Sequence, residues 1–154
     1  KEIKKQTKRM RLSLQNNYSK KFDPENIKYG RGGFQELELL VQMGMLLMNI
    51  GYRKNNQSPK KLISYLLKVG FFDKEEYKNI KEIYELFFYY QQVSCIMFFE
   101  TDQKKFLSSH GVDYLIKNLS KPVNYNKEMN LNDLNLLLKQ KSQYIGKLFD
   151  RKLE

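Results

Sequence analysis

Cysteine and histidine are nearly missing from this sequence, which has one residue of each among 154. A single cysteine excludes an internal disulfide framework and is typical of a reducing compartment, so we expect the protein to be cytoplasmic. Cys95 lies in an apolar stretch and is interpreted as a small buried hydrophobic residue. His110 precedes a glycine in a predicted loop. With one cysteine and one histidine, the sequence contains no cluster typical of a zinc site. It also gives no support to a Cys-His or Ser-His-Asp catalytic arrangement.

Long hydrophobic runs are also lacking. The N-terminal stretch KEIKKQTKRMRLSL has no apolar centre of the kind that a signal peptide requires. The longest apolar stretch, residues 86–99, contains two glutamines and is shorter than the roughly 20 residues that span a bilayer. We interpret it as part of a core helix and expect no membrane anchor.

Strand-like alternation is almost absent, whereas helical periodicity runs through most of the chain. The sequence therefore predicts an all-α protein, an up-and-down helical bundle. Three parts are expected along the chain: a basic helix at 1–15, a connector with a glycine-rich turn at 16–33, and the bundle at 34–154. Helices inside the bundle are predicted at 34–50, 59–69, 73–99 and 111–119, with a last one starting at 130 or 132.

Capping residues predict where several helices begin and end. Asp73 and Glu76 have the spacing of a capping box, with aspartate in place of serine or threonine. Ser58 is expected to cap the helix that has Pro59 as its first residue. The predicted C-terminal glycines are Gly51, after the helix at 34–50, and Gly70, after the helix at 59–69.

The charge is strongly basic, with 28 Lys and Arg against 17 Asp and Glu and a net charge of +11. Such a charge favours phosphates, nucleic acid or anionic lipid as partners. However, the lysines are spread over every segment, and a specific site requires them to be clustered. We therefore interpret them as a solvated basic surface and consider nucleic acid an unlikely partner.

The helix at 34–50 is apolar around most of its circumference. At 100° per residue, its polar residues divide into one narrow sector and Glu36, which points elsewhere. The sector contains Gln35, Glu38, Gln42 and Asn49. Buried polar groups need partners, so this polar stripe faces solvent, is satisfied by neighbouring helices, or opens on a functional cleft.

The turn before this helix has the sequence KYGRGG, residues 28–33. Gly32 and Gly33 permit a close approach of the backbone, and a following helix N-terminus can bind an anion. Lys28 and Arg31 add positive charge. The motif is neither a P-loop nor a dinucleotide-binding fingerprint, and a tight turn that only starts the helix explains the glycines equally well.

Taken together, NIKYGRGGFQELELLVQ resembles the segment that follows the nucleotidyltransferase domain in bacterial glutamine synthetase adenylyltransferases. The family pattern is approximately D-[IL]-K, a spacer, G-G, two residues, [DE]-I-E-F and a glutamine three residues further on. The matching residues are Lys28, Gly32, Gly33, Glu36, Glu38 and Gln42, and the departures are Asn26, Leu37 and Leu39.

The resemblance extends over nearly the whole chain. KRMRLSL is similar to the helix that leaves the catalytic domain, which carries a Met-Arg pair, and KQKSQYIGKLFDRKL is similar to the closing helix. Gln35 stands where the deadenylylating half of the family usually has arginine, which favours the C-terminal, adenylylating half. One departure is FFYYQQVSC, where the family commonly carries charged residues and histidine. The helical domain of PII uridylyltransferases is the second relative considered.

The resemblance implies a helical domain that forms one wall of an active-site cleft for AMP transfer between ATP and glutamine synthetase. Mg²⁺ and ATP would be held mainly by an upstream nucleotidyltransferase domain, and PII protein is a further expected partner. No Asp-x-Asp pair occurs in the chain, so we expect no catalytic residue and no metal ligand here. The candidate cleft residues are Lys28, Arg31, Gly32, Gly33, Gln35, Glu36, Glu38 and Gln42. A protein-docking bundle remains the alternative.

Overall fold

The structure is a computed structural model that describes residues 1–17, 27–51, 58–97 and 130–154. These residues form five helices and no strand: α1 (Glu2–Asn17), α2 (Phe34–Leu47), α3 (Pro59–Lys68), α4 (Lys74–Met97) and α5 (Leu131–Leu153). The all-α prediction is confirmed. The predicted helix at 111–119 and His110 lie outside the described residues, and so does the side chain of Cys95.

The start of α4 agrees with the sequence. The backbone N–H of Glu76 donates to Asp73 Oδ1 at 2.8 Å, and the N–H of Asp73 donates to Glu76 Oε2 at 3.0 Å, which is a reciprocal capping box. Pro59 begins α3 as predicted, but Ser58 makes no capping hydrogen bond with its side chain, so that prediction is wrong. The ring of Pro59 already fixes a helical φ, and proline has no backbone N–H. One fewer unpaired N–H group therefore remains at the start of α3 for a capping side chain to bind.

Two helices end in Schellman motifs. After α3, Gly70 has a φ of +78°, and the N–H groups of Gly70 and Phe71 donate to the carbonyls of Leu67 and Leu66. After α2 the equivalent residue is Asn49, with a φ of +50°, and not the predicted Gly51. Asparagine tolerates the left-handed conformation better than other side chains, so α2 ends three residues earlier than its periodicity predicts.

α2 is the central helix, since it contacts each of the other four. Leu37 and Leu40 are fully buried, and they join one core with Ile80, Phe87 and Phe149 from α4 and α5. α1 packs directly on α2 and buries Thr7 and Arg11 against the bundle. The helix expected to leave an upstream domain thus lies against α2, while the proposed division of the chain into three parts stays a prediction. Within the described residues, no helix combines the length and hydropathy needed to cross a membrane.

Candidate functional site

The turn before α2 closes on itself through its backbone. The N–H of Phe34 donates to the carbonyl of Ile27 at 2.8 Å, and the N–H of Gln35 donates to that of Lys28 at 3.1 Å. The N–H of Gly33 donates to Gly30 at 3.1 Å. These donors are therefore satisfied within the chain. The expected anion site at the start of α2 is not formed by them, because an anion would have to displace the turn's own hydrogen bonds.

The two glycines of the candidate site serve close packing. A Cβ on Gly32, which has a φ of +76°, would lie 1.8 Å from the carbonyl oxygen of Ser142 in α5. A Cβ on Gly33 would lie 2.8 Å from the carbonyl oxygens of Ile27 and Tyr29. The close approach predicted for the glycines is thus made by helix α5 and by the turn itself, and these contacts require no ligand.

Glu36 is buried, with 2% of its surface exposed, and is completely hydrogen-bonded. Its Oε1 accepts from Arg11 Nε at 3.0 Å and from Gln15 Nε2 at 2.6 Å. Its Oε2 accepts from Arg11 Nη2 and from the backbone N–H of Gly32, both at 3.0 Å. A carboxylate with four donors and no solvent around it joins helices and has no lone pair directed to a cleft.

Arg11 links this carboxylate to α5. Its Nη1 donates to Asp150 Oδ1 and its Nη2 to the carbonyl of Gly146, while the guanidinium lies 4.5 Å from the centre of the Phe149 ring. Burial by itself would lower the pKa of Arg11, but the hydrogen bonds and charges of Glu36 and Asp150 outweigh burial and raise it. Arg31 Nη2 donates to the other oxygen of Asp150 at 2.5 Å. Arg31 therefore belongs to the α1–α5 side of the molecule.

The polar residues of α2 that remain accessible border a different cavity, a groove of about 490 Å³. The polar side chains that line it are Glu38 and Gln42 from α2 and Tyr84 from α4. We call this cavity the α2 groove. Its apolar walls come from Leu37, Val41, Met45, Leu46, Ile50, Pro59 and Leu62. Such a cavity, apolar with a few convergent polar groups, is the usual form of a small-molecule site.

Electrostatics distinguish Glu38 from an ordinary surface carboxylate. Desolvation by the apolar surroundings raises its pKa although the side chain remains in contact with solvent, and the charge of Lys28 partly counters that increase. Burial, and then the charge of Glu38, raises the pKa of the Tyr84 hydroxyl. The centre of the Tyr84 ring lies 5.5 Å from that of Phe34 and 6.0 Å from that of Phe88. These two ring contacts restrict the position of the Tyr84 side chain beside the groove.

The remaining residues of the polar stripe lie elsewhere. Gln35 is partly buried, and its Oε1 has no hydrogen-bond partner among the described residues. Asn49 is exposed and serves to end α2. The candidate residues consequently separate into two groups: Glu38, Gln42 and the nearby Lys28 at the α2 groove, and Arg31, Gly32 and Glu36 at the junction of α1, the turn and α5.

Sequence reasoning missed the residues that complete both groups. Arg11, Gln15 and Asp150 lie 25, 21 and 114 residues from Glu36 along the chain, so periodicity within one helix cannot connect them. The Met-Arg pair in KRMRLSL was the one available signal for Arg11. Tyr84 lies within the helix predicted at 73–99, and periodicity gives no signal that it borders a groove. Among the described residues, no three His, Cys, Asp or Glu side chains come together as metal ligands.

Comparison with protein families identifies a related family. A family model described as GlnD PII-uridylyltransferase matches residues 1–107, about two thirds of the chain. The matched range includes α1, the glycine turn, α2, α3 and α4. Searches of curated proteins and of solved structures return no match.

Proposed function

We propose that this chain, which belongs to the GlnD PII-uridylyltransferase family, is the helical domain that closes one wall of the cleft in which a nucleotidyltransferase domain works. The observation that carries the proposal is the α2 groove, where Glu38 and Gln42 meet apolar walls. In nucleotidyl transfer an oxygen of the acceptor attacks the α-phosphorus of a nucleoside triphosphate and pyrophosphate leaves. A Mg²⁺ ion held by the catalytic domain would neutralise the phosphate charge during this transfer.

The groove suits binding and orientation of a substrate. Gln42 offers one acceptor and two donors, and Glu38 offers acceptors when ionised and a donor when protonated. Desolvation raises the pKa of Glu38 above its ordinary value, and the charge of Lys28 opposes that increase. The ionised carboxylate would accept hydrogen bonds from donors on a base or on an acceptor side chain. Lys28, near Glu38, adds positive charge at the margin of the site.

The second group of candidate residues acts by positioning. Arg11 and Glu36 fix α1 to α2, and Arg31 and Gly32 fix the turn to α5. If α1 is the connection to the catalytic domain, these contacts set the orientation of the α2 groove relative to that domain. Gly33 and Gln35 belong to the same junction through the backbone of the turn.

Two donor and acceptor pairs are consistent with this role. The sequence motif favours AMP transfer from ATP to glutamine synthetase, and the family match favours UMP transfer from UTP to PII protein. The test joins the chain to its upstream nucleotidyltransferase domain and supplies labelled ATP or UTP with each acceptor. Transfer of label from ATP to glutamine synthetase supports the adenylyltransferase role. Transfer of label from UTP to PII protein supports the uridylyltransferase role.

The role of the groove is tested in the same assay with Glu38→Gln and Gln42→Leu. We expect each variant to lower transfer by about tenfold or more, the usual range for one lost oriented polar contact. Glu75→Gln, at an exposed carboxylate near the start of α4, is the control and should leave transfer unchanged. Full activity of both groove variants would remove the groove from the site and leave a protein-docking domain as the better description.

A further inference from the structure

A second cavity, lined by residues that do not border the α2 groove, lies along α1. It has a volume of about 680 Å³, and we call it the α1 cleft. Its charged lining contains six cationic and two acidic residues: Lys1, Lys4, Lys5, Lys8, Arg11 and Arg31, with Asp150 and Glu154. Part of the basic charge that the sequence spreads over every segment is thus gathered around this cleft.

The lysines converge because of their spacing on the helix. At 100° and 1.5 Å per residue, positions 4, 5, 8, 11, 12 and 15 fall within a sector of roughly 120°. The buried Arg11 forms one edge of this sector, and the buried Thr7 lies just beyond that edge. One edge of α1 therefore packs on the bundle while the neighbouring edge presents its ammonium groups to the cleft.

These ammonium groups are not neutralised inside the protein. Among the residues that the structure describes, Lys4, Lys5 and Lys8 have no carboxylate within 4.0 Å. Two acidic residues line the cleft: Asp150 already accepts from both Arg11 and Arg31, and Glu154 is not ion-paired with any of the three lysines. Like charges held at adjacent positions repel one another, and an anionic ligand would relieve that repulsion.

We propose that the α1 cleft binds a polyphosphate chain, such as the triphosphate of a free nucleotide. A run of neighbouring phosphates fits a row of ammonium groups backed by the Arg31 guanidinium, which is half exposed. None of the described residues that line the cleft is aromatic. Proteins that bind single-stranded nucleic acid stack bases on aromatic rings, so the cleft suits phosphate groups better than a nucleic acid strand. The site is additional to the proposed function and does not depend on it.

The test is calorimetric titration of the 154-residue chain with sodium tripolyphosphate, orthophosphate, ATP, UTP and a thymidine oligonucleotide. We expect tripolyphosphate, ATP and UTP to bind with similar affinity, orthophosphate to bind more weakly, and affinity to fall as NaCl is raised. Absence of tripolyphosphate binding at low salt overturns the proposal. Tighter binding of the oligonucleotide than of tripolyphosphate assigns the cleft to nucleic acid and also overturns it.

Two variants of equal net charge locate the site. Lys5→Glu/Lys8→Glu removes two cations from the cleft, and Arg9→Glu/Lys78→Glu removes two exposed cations from outside it. All four residues are exposed, so both variants should fold, which circular dichroism checks. We expect the cleft variant to weaken tripolyphosphate binding by about tenfold or more and the control to change it less than about threefold. Equal losses in both would show a general charge effect and overturn the assignment.

Discussion

Arg11 and Glu36 form a bidentate ion pair across 25 residues of sequence, with Arg11 Nε and Nη2 each 3.0 Å from a different carboxylate oxygen. Both side chains are less than 10% exposed. The pair is also tied to Asp150, Gln15 and the backbone of the glycine turn. One buried cluster thus holds α1, α2 and α5 together at the place where the family motif has its glycines.

Breaking this pair should be among the most destabilising single changes. Arg11→Met leaves Glu36 buried with only Gln15 and the N–H of Gly32 as donors. Removing one partner of a buried ion pair costs about 3–5 kcal/mol of the free energy of unfolding. Urea denaturation followed by circular dichroism measures the change.

The comparison for that prediction is Arg9→Met, at an exposed position of the same helix, which should change stability by less than about 0.5 kcal/mol. Arg11→Met/Glu36→Leu should be less destabilised than the sum of the single variants, because no uncompensated carboxylate remains. If Arg11→Met were as stable as Arg9→Met, the pair would not hold α1 in solution.

Gly32 should be intolerant of any side chain. Its positive φ and the 1.8 Å approach of the Ser142 oxygen combine strain with a backbone clash, so Gly32→Ala should cost more than about 4 kcal/mol or prevent folding. Gly70→Ala has the strain without a clash and should cost about 1–2 kcal/mol. Gly51→Ala has neither and should be within about 0.5 kcal/mol of the parent. Thermal melts of the three variants measure the order of destabilisation. An equal loss of stability at all three sites would contradict this prediction.

The two helix starts predicted from sequence provide a paired test of capping. Asp73→Ala removes the acceptor for the N–H of Glu76 and should cost about 1 kcal/mol. Ser58→Ala removes no capping hydrogen bond and should be nearly neutral. Urea denaturation of both variants in the same buffer compares their losses in the free energy of unfolding. A larger loss for Ser58→Ala than for Asp73→Ala would mean that the α3 cap forms in solution.

Local signals were the part of the fold that could be predicted. The capping box of α4 involves two residues three apart, and the apolar stripe of α5 includes Leu134, Leu138 and Ile145, all fully buried. The end of α2 was mispredicted because both Asn49 and Gly51 can adopt unusual dihedrals, and sequence cannot choose between them. Such choices depend on which residue best completes the hydrogen bonds of the last turn.

The candidate site could be predicted only in part for a similar reason. Helix geometry places Glu36 on a different face of α2 from the polar stripe. The structure agrees, because Glu36 is buried. Which face opens on a cavity depends on the neighbours of α2, and those are set by tertiary packing. Arg31 and Glu38 are seven residues apart and were expected in one cleft, but Arg31 borders the α1 cleft and Glu38 the α2 groove.

The titration of Glu38 provides a test of the groove that needs no substrate. Because the apolar surroundings raise the pKa of Glu38 in the folded chain above its ordinary value, the native state binds more protons than the unfolded state between the two pKa values. The contribution of Glu38 to the free energy of unfolding is therefore highest when the pH is below its pKa in the unfolded chain. That contribution decreases as the pH rises through its pKa in the folded chain. Glu38→Gln, which cannot ionise, should gain stability relative to the parent as the pH rises above the unfolded pKa of about 4.3, and it should keep that gain above the folded pKa.

The expected gain is small because the carboxylate keeps contact with solvent, and we place it below about 1 kcal/mol. Lys28→Met should raise the pKa of Glu38 further, since it removes a positive charge that opposes the effect of desolvation. Carbon-detected NMR of the Glu38 carboxyl group measures the pKa in both proteins, with Glu75 as the exposed reference. A Glu38 pKa equal to that of Glu75, unchanged by Lys28→Met, would mean that the groove is open to water and does not desolvate its carboxylate, which removes the physical reason for placing a substrate there.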